Sequence, residues 1–210
     1  MYADESLSRY LDRAASGKPI PGGGSVAAVV GALGASMASM ACNFTVGRKK
    51  YKDVEGEVTE ILGEAEKARE ALLELAGRDS EAYSEVSAAY KLPRETEEQK
   101  GARREAIQAA LKTAMAAPLE TMRCCGKLLG KLQGLAEKGN PNLISDVGVS
   151  ALLLEAALEA ALLNVDINLR ELKDSSLVEK VGSEVKSLKE QARKCAEETL
   201  ALVRSHVSPE

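Results

Sequence analysis

PIPGGGSVAAVVGALGASMASMACNFTVGRKKY, running from Pro19 to Tyr51, decides the fold. A triple-glycine turn opens a stretch of Ala, Gly, Ser, Val and Met that carries no charge until three consecutive cations, Arg48, Lys49 and Lys50, close it. Glycine inside a helix costs roughly 1 kcal/mol relative to alanine. A helix that holds Gly31 and Gly34 therefore needs another backbone or a ligand close by. Ala27, Gly31, Ala35 and Ser39 recur four apart and share one face. The faces are small or apolar all round, so this segment is expected to be the most buried helix of an all-helical protein. Its start is a candidate ligand site. Gly22, Gly23 and Gly24 lead into Ser25, the N-cap candidate, and helix-start amides favour an anionic group.

Working outward, 210 residues suffice for one large domain. Hydrophobic residues make up 45% and charged residues 29%, an ordinary globular balance. Aromatics are only 3%, so the core must come from Ala, Leu and Val packing with close backbone approach. A net charge of −4 argues against bulk nucleic-acid binding. Cys42, Cys124, Cys125 and Cys195 follow neither a disulfide-scaffold nor a metal-site spacing. They read as free thiols of a reducing cytoplasm, and no signal-peptide pattern precedes the first polar segment. Val26 to Cys42 is short for a membrane span and rich in Ala, Gly and Ser, which predicts a buried helix rather than a membrane one.

Periodicity near 3.6 runs through nearly the whole chain and predicts about six helices with no strand. They cover Asp4–Ala15, Ser25 towards Val46, Asp53–Lys91, Thr96 to near Gly139 with a kink at Pro118, the NPN segment to Lys173, and Ser176 to about His206. No repeat or linker divides the chain. The expected fold is a single all-α domain over residues 1–210, a multihelical bundle around a central Ala/Gly-rich helix.

The long third helix holds an anomaly. Its apolar face runs Val54, Val58, Ile61, Ala65, Ala68, Leu72, Leu75, then Asp79, then Tyr83, Val86 and Tyr90. Asp79 thus falls inside the buried stripe. A carboxylate there loses hydration and its pKa rises unless donors compensate, which suits a general acid/base. A structural carboxylate bonded to a neighbouring helix end is the commoner outcome of such a pattern, and Gly77 could shift the phase and turn Asp79 outward. A second polar set, Asp146, Ser150, Asn164 and Asn168, shares a face of the fifth helix with small residues and is costly to bury unpaired. Before it, Asn140, Asn142 and Ser145 offer cap-type oxygens. Capping with interhelical hydrogen bonds is the favoured account of this set, since caps are far commoner than sites. The glycine turn lacks the GKS or GKT ending of a nucleotide loop. The cations of RKK fit a solvated helix end. With one histidine, His206, and no Cys/His cluster, neither a metal enzyme nor a histidine triad is expected.

Taken in order, PGGGSVAA, GALGASMASM, Thr45-x-Gly47-x-Lys49-Lys50-Tyr51, D-x-E-A-Y from Asp79 to Tyr83, A-x-K-L-P at Pro93, Ala117-Pro118, the GNPN…SD segment and NVDINL from Asn164 to Leu169 resemble the cyclodeaminase/cyclohydrolase family. That family comprises the C-terminal half of formiminotransferase-cyclodeaminase and stand-alone methenyltetrahydrofolate cyclohydrolases. The resemblance covers nearly the whole chain.

What it implies is an all-helical homodimer acting on a tetrahydrofolate derivative. The family's acid/base aspartate falls on Asp79. Two reactions stay open: cyclodeamination of 5-formiminotetrahydrofolate, placed first, and hydrolysis of 5,10-methenyltetrahydrofolate on the same fold. A non-catalytic folate-binding or scaffold protein is the alternative of another class. Given such a substrate, Gly22, Gly23, Gly24, Ser25 and Tyr83 become candidate substrate residues, the charges of Lys49 and Lys50 suit clamps for a polyglutamate tail, and the paired hydrogen-bonding groups of Asn140, Ser145 and Asp146 are assigned to the pterin amide edge. No metal, cofactor, nucleic acid or membrane partner is implied.

Overall fold

The computed structural model describes residues 2–207. Six α-helices follow one another: α1 (Leu7–Ala14), α2 (Gly23–Asn43), α3 (Glu55–Tyr90), α4 (Glu97–Lys138), α5 (Ile144–Glu171) and α6 (Ser175–Val207). Short 3-10 turns cover Tyr2–Asp4, Lys49–Val54 and Pro141–Leu143, and no strand occurs among the described residues. The all-α expectation holds. α2 packs against α3 and α5. α4 lies behind it against α2, α3, α5 and α6.

Local chemistry sets the ends. Thr96 accepts the Gln99 N–H while the Gln99 side chain accepts the Thr96 N–H, a reciprocal box that starts α4. α4 remains helical through Pro118, with no break there. Gly139 ends it, and its N–H donates to the Leu135 carbonyl. α3 begins at Glu55 rather than Asp53, because the chain first winds through the 3-10 turn from Lys49.

α2 meets the central expectation in part. Twelve of its 21 residues are buried, the largest share of any helix. A Cβ on Gly31 would lie 3.0 Å from Cys125 Sγ and 3.3 Å from the Leu72 methyls; on Gly34 it would lie 2.9 Å from Leu154 Cγ. The Ser150 hydroxyl, from α5, donates to the Gly34 carbonyl at 2.8 Å. The helix is not covered all round, however. Val26 and Leu33 are exposed on α2, and Val149, Leu152, Leu163 and Ile167 on α5. The helix is apolar on every side, yet α3, α4 and α5 occupy only part of its circumference. It is long and apolar enough to cross a membrane, with a mean hydropathy of 1.7, and 61% of that window is buried inside the fold.

Candidate active site

Ser25 does not cap α2. The helix begins two residues earlier, with extended Gly22 at the cap position and no side chain of its own accepting the first amides. Ser25 is the third helical residue and fully buried. Its hydroxyl meets the Tyr10 phenol of α1 at 3.0 Å. Its backbone N–H is bonded to the Asp79 carboxylate. Asp79 therefore supplies from α3 the acceptor that an N-cap side chain normally supplies.

The fit is close. A Cβ on Gly24 would sit 2.6 Å from Asp79 Cγ and 2.8 Å from Oδ2, and closer still to Oδ1. Only glycine lets the carboxylate lie flat on the first turn of α2. Burial pushes the Asp79 pKa above the ordinary carboxylate value, and the Ser25 N–H opposes the rise. Asp79 is half-buried, as its place in the stripe predicts.

Asp79 opens into a cleft of about 420 Å³, within the roughly 300–1,000 Å³ common for small-molecule sites. Gly22, Gly23 and Gly24 form one wall, Tyr83, Val86 and Tyr90 another, and Asn164, Ile167 and Asn168 a third. Tyr83 and Tyr90 are two of only six aromatic residues in the chain, and both are exposed here. The Asn164 and Asn168 side-chain amides each donate one N–H, to the Ala160 and Asn164 carbonyls, at 2.9 and 2.7 Å. Among the described residues no donor bonds the side-chain oxygen Oδ1 of either.

The remaining sequence candidates lie elsewhere in the chain. Lys49, Lys50, Asn140, Ser145 and Asp146 cluster at the far end of α2, roughly 30 Å of helix from Gly23, and none lines the cleft. Lys49 and Lys50 are exposed, Lys50 over the Tyr51 ring at 5.4 Å. Asn140 is a tie rather than an open group. Its side chain bonds the Phe44 carbonyl, the Tyr51 hydroxyl and the Asn142 N–H, and its backbone N–H donates to Thr45. Ser145 is exposed and Asp146 half-buried in the first turn of α5. Asn164, Asn168 and Tyr90 were not placed in the site by sequence reasoning. The polar stripe on the fifth helix was the signal for the two asparagines, and the apolar face of the third helix, shared with Asp79, was the signal for Tyr90.

Comparison with known proteins places the fold and the family. Residues 6–187 match the family described as Formiminotransferase-cyclodeaminase. A relative named methenyltetrahydrofolate cyclohydrolase from Methylorubrum extorquens is 41% identical over 99% of this chain and 100% of its own length. The formimidoyltransferase-cyclodeaminase of Rattus norvegicus is 35% identical over 90% of this chain, which spans 35% of that longer protein. The crystal structure of formiminotetrahydrofolate cyclodeaminase from Thermotoga maritima superposes with a TM-score of 0.88 at 35% identity, covering 98% of each chain. The all-helical bundle thus falls in a known class of enzymes. The chain belongs to the formiminotransferase-cyclodeaminase family.

Proposed function

We propose that the protein hydrolyses 5,10-methenyltetrahydrofolate to 10-formyltetrahydrofolate. The Asp79 seat carries this reading: one half-buried carboxylate, its pKa raised, on a cleft with one wall formed by Tyr83 and Tyr90. The choice of reaction rests on the Methylorubrum relative, which matches end to end. This reverses the order in which the sequence alone placed the two reactions. Cyclodeamination remains the second reading, because the Thermotoga protein of matching length is named for it.

The methenyl substrate carries a delocalised positive charge, and the cleft presents Asp79 and Glu171 with no cation in its walls. Asp79 takes a proton from water as the water oxygen bonds to the methenyl carbon. The same proton passes to N5 as the carbon–N5 bond breaks. The remaining hydroxyl proton leaves to solvent as the formyl C=O forms. A group serving as base and then acid works best with its pKa near the working pH. The free Asn164 and Asn168 oxygens suit the N–H donors of the pterin edge, in place of Asn140, Ser145 and Asp146. Tyr83 and Tyr90 suit stacking on the aminobenzoyl ring.

The exposed apolar face of α2 and α5 is assigned to a second copy of the chain, giving the expected homodimer. Lys49 and Lys50 can act as tail clamps only across such an interface, since within one chain they lie at the wrong end of α2. Sedimentation of the unaltered protein and of Leu152→Glu tests the face; a monomer at micromolar concentration with full activity refutes it. The reaction is tested by incubating purified protein separately with methenyl- and formiminotetrahydrofolate. Loss of methenyl absorbance from the first supports the hydrolase. Its appearance from the second with ammonia release, and none lost from the first, supports the deaminase instead.

A further inference from the structure

The cleft contains no cation, yet any folate brings carboxylates at its glutamate end. Those carboxylates must be met beyond the walls. The rim at Ile20 adjoins a hollow holding Arg13, whose guanidinium is already paired with Glu5 at 2.5 Å. The rim at Tyr90 differs. Arg103, from the first turns of α4, stands with its guanidinium 5.6 Å from the Tyr90 ring centroid. Its Nε and Nη2 donate to the Tyr90 carbonyl at 3.3 and 3.1 Å. Among the described residues no carboxylate is within ion-pair distance of it. The two bonds to one carbonyl fix the plane of the group and leave Nη1 open. A fixed, unneutralised guanidinium is well suited to a carboxylate.

Spacing agrees with this. Asp79 and Tyr90 lie on one face of α3, about 16 Å apart along its axis. That length accommodates an aminobenzoyl ring over Tyr83 and the first glutamate beyond Tyr90. On the reading that the substrate is a tetrahydrofolate, we infer that Arg103 recognises the glutamate carboxylates of the substrate as they leave the cleft past Tyr90. The contact is made within a single chain and does not need Lys49 or Lys50.

The test crosses a side-chain change with a substrate change. Unaltered enzyme, Arg103→Gln and Arg103→Lys are assayed on 5,10-methenyltetrahydrofolate and on the corresponding methenyltetrahydropteroate, which lacks the glutamate. Arg103→Gln is expected to raise KM for the glutamylated substrate roughly three- to tenfold, the scale of a partly exposed charge-assisted pair. Neither kcat nor the KM for the pteroate should move. Arg103→Lys, which keeps the charge but not the planar fork, should recover part of the loss and guards against a folding defect in the Gln variant. Equal KM changes on both substrates, or none on either, overturn the assignment. So does loss of tail discrimination on replacing Lys49 and Lys50 by Ala while Arg103→Gln retains it. No turnover by the unaltered enzyme of either methenyl substrate or of 5-formiminotetrahydrofolate overturns the folate reading itself, and the role of Arg103 falls with it.

Discussion

Replacing Gly24 by Ala adds one methyl group where the site is most crowded. That methyl would lie 2.6 Å from Asp79 Cγ and 2.8 Å from Oδ2, against the 3.5–4.0 Å of ordinary carbon contact. Gly24 is backbone of a helix held on its inner face by α3 and α5, so the carboxylate is the group that moves. It must retreat by about 1 Å to restore contact distance, and the Ser25 N–H bond stretches or breaks with it. A displacement of about 1 Å at a reacting group costs on the order of 100-fold in rate. Stability is pulled the other way, since alanine gains about 1 kcal/mol over glycine inside a helix. Loss of the Ser25 bond costs about as much. Gly24→Ala should therefore lose roughly 100-fold in kcat while its Tm stays within about 4 °C. Gly23→Ala is the contrast, because its methyl would meet the Asn164 amide at 3.6 Å, an ordinary contact. Its kcat loss should stay below about tenfold, smaller than that of a misplaced acid/base. The assay follows methenyl absorbance under saturating substrate, with calorimetry alongside. Near-normal turnover by Gly24→Ala would show that the carboxylate acts from another position, and the reasoning would fail.

Asp79→Asn should fold and bind folate yet lose roughly 100-fold or more in kcat; normal turnover would make the carboxylate structural. Because burial raises the folded pKa of Asp79, the folded state holds its proton more tightly than the unfolded one, and stability falls as pH climbs from the unfolded value through the folded one. Calorimetry of Asp79→Asn across pH should show its Tm gaining on the unaltered protein above that window and the gain vanishing below it; a pH-independent difference contradicts this. Gly31→Leu should overpack the contact with Cys125 and Leu72 and cost about 1–3 kcal/mol or more, read as a Tm drop of at least about 2 °C. Tyr10→Phe leaves the buried Ser25 hydroxyl without its partner and should cost about 1 kcal/mol, and an unchanged melting curve would show the bond to be idle.

Helix number and Asp79's place in the stripe were legible in the sequence, because both follow from periodicity along one chain segment. Which residues meet at the site was less legible. The glycine turn and the RKK cluster flank the same short stretch, yet a straight 21-residue helix holds them at opposite ends. Asn164 lies 85 positions from Asp79 and reaches it only because α2, α3 and α5 pack together. Ser25 misled for a related reason. Serine is a favoured N-cap, but here the acceptor for the first turn comes from another helix, so the cap position is free to be glycine.

That borrowed cap makes the Ser25 amide a built-in reporter. Its hydrogen bond ends on the carboxylate that is assigned the proton transfer, so gaining a proton weakens the bond and losing it restores the bond. The amide resonance of Ser25 should titrate with the pKa of Asp79, giving a spectroscopic view of the acid/base group without substrate or label. Its exchange with solvent should quicken wherever the carboxyl is neutral, so that the start of α2 breathes in step with the charge beside it.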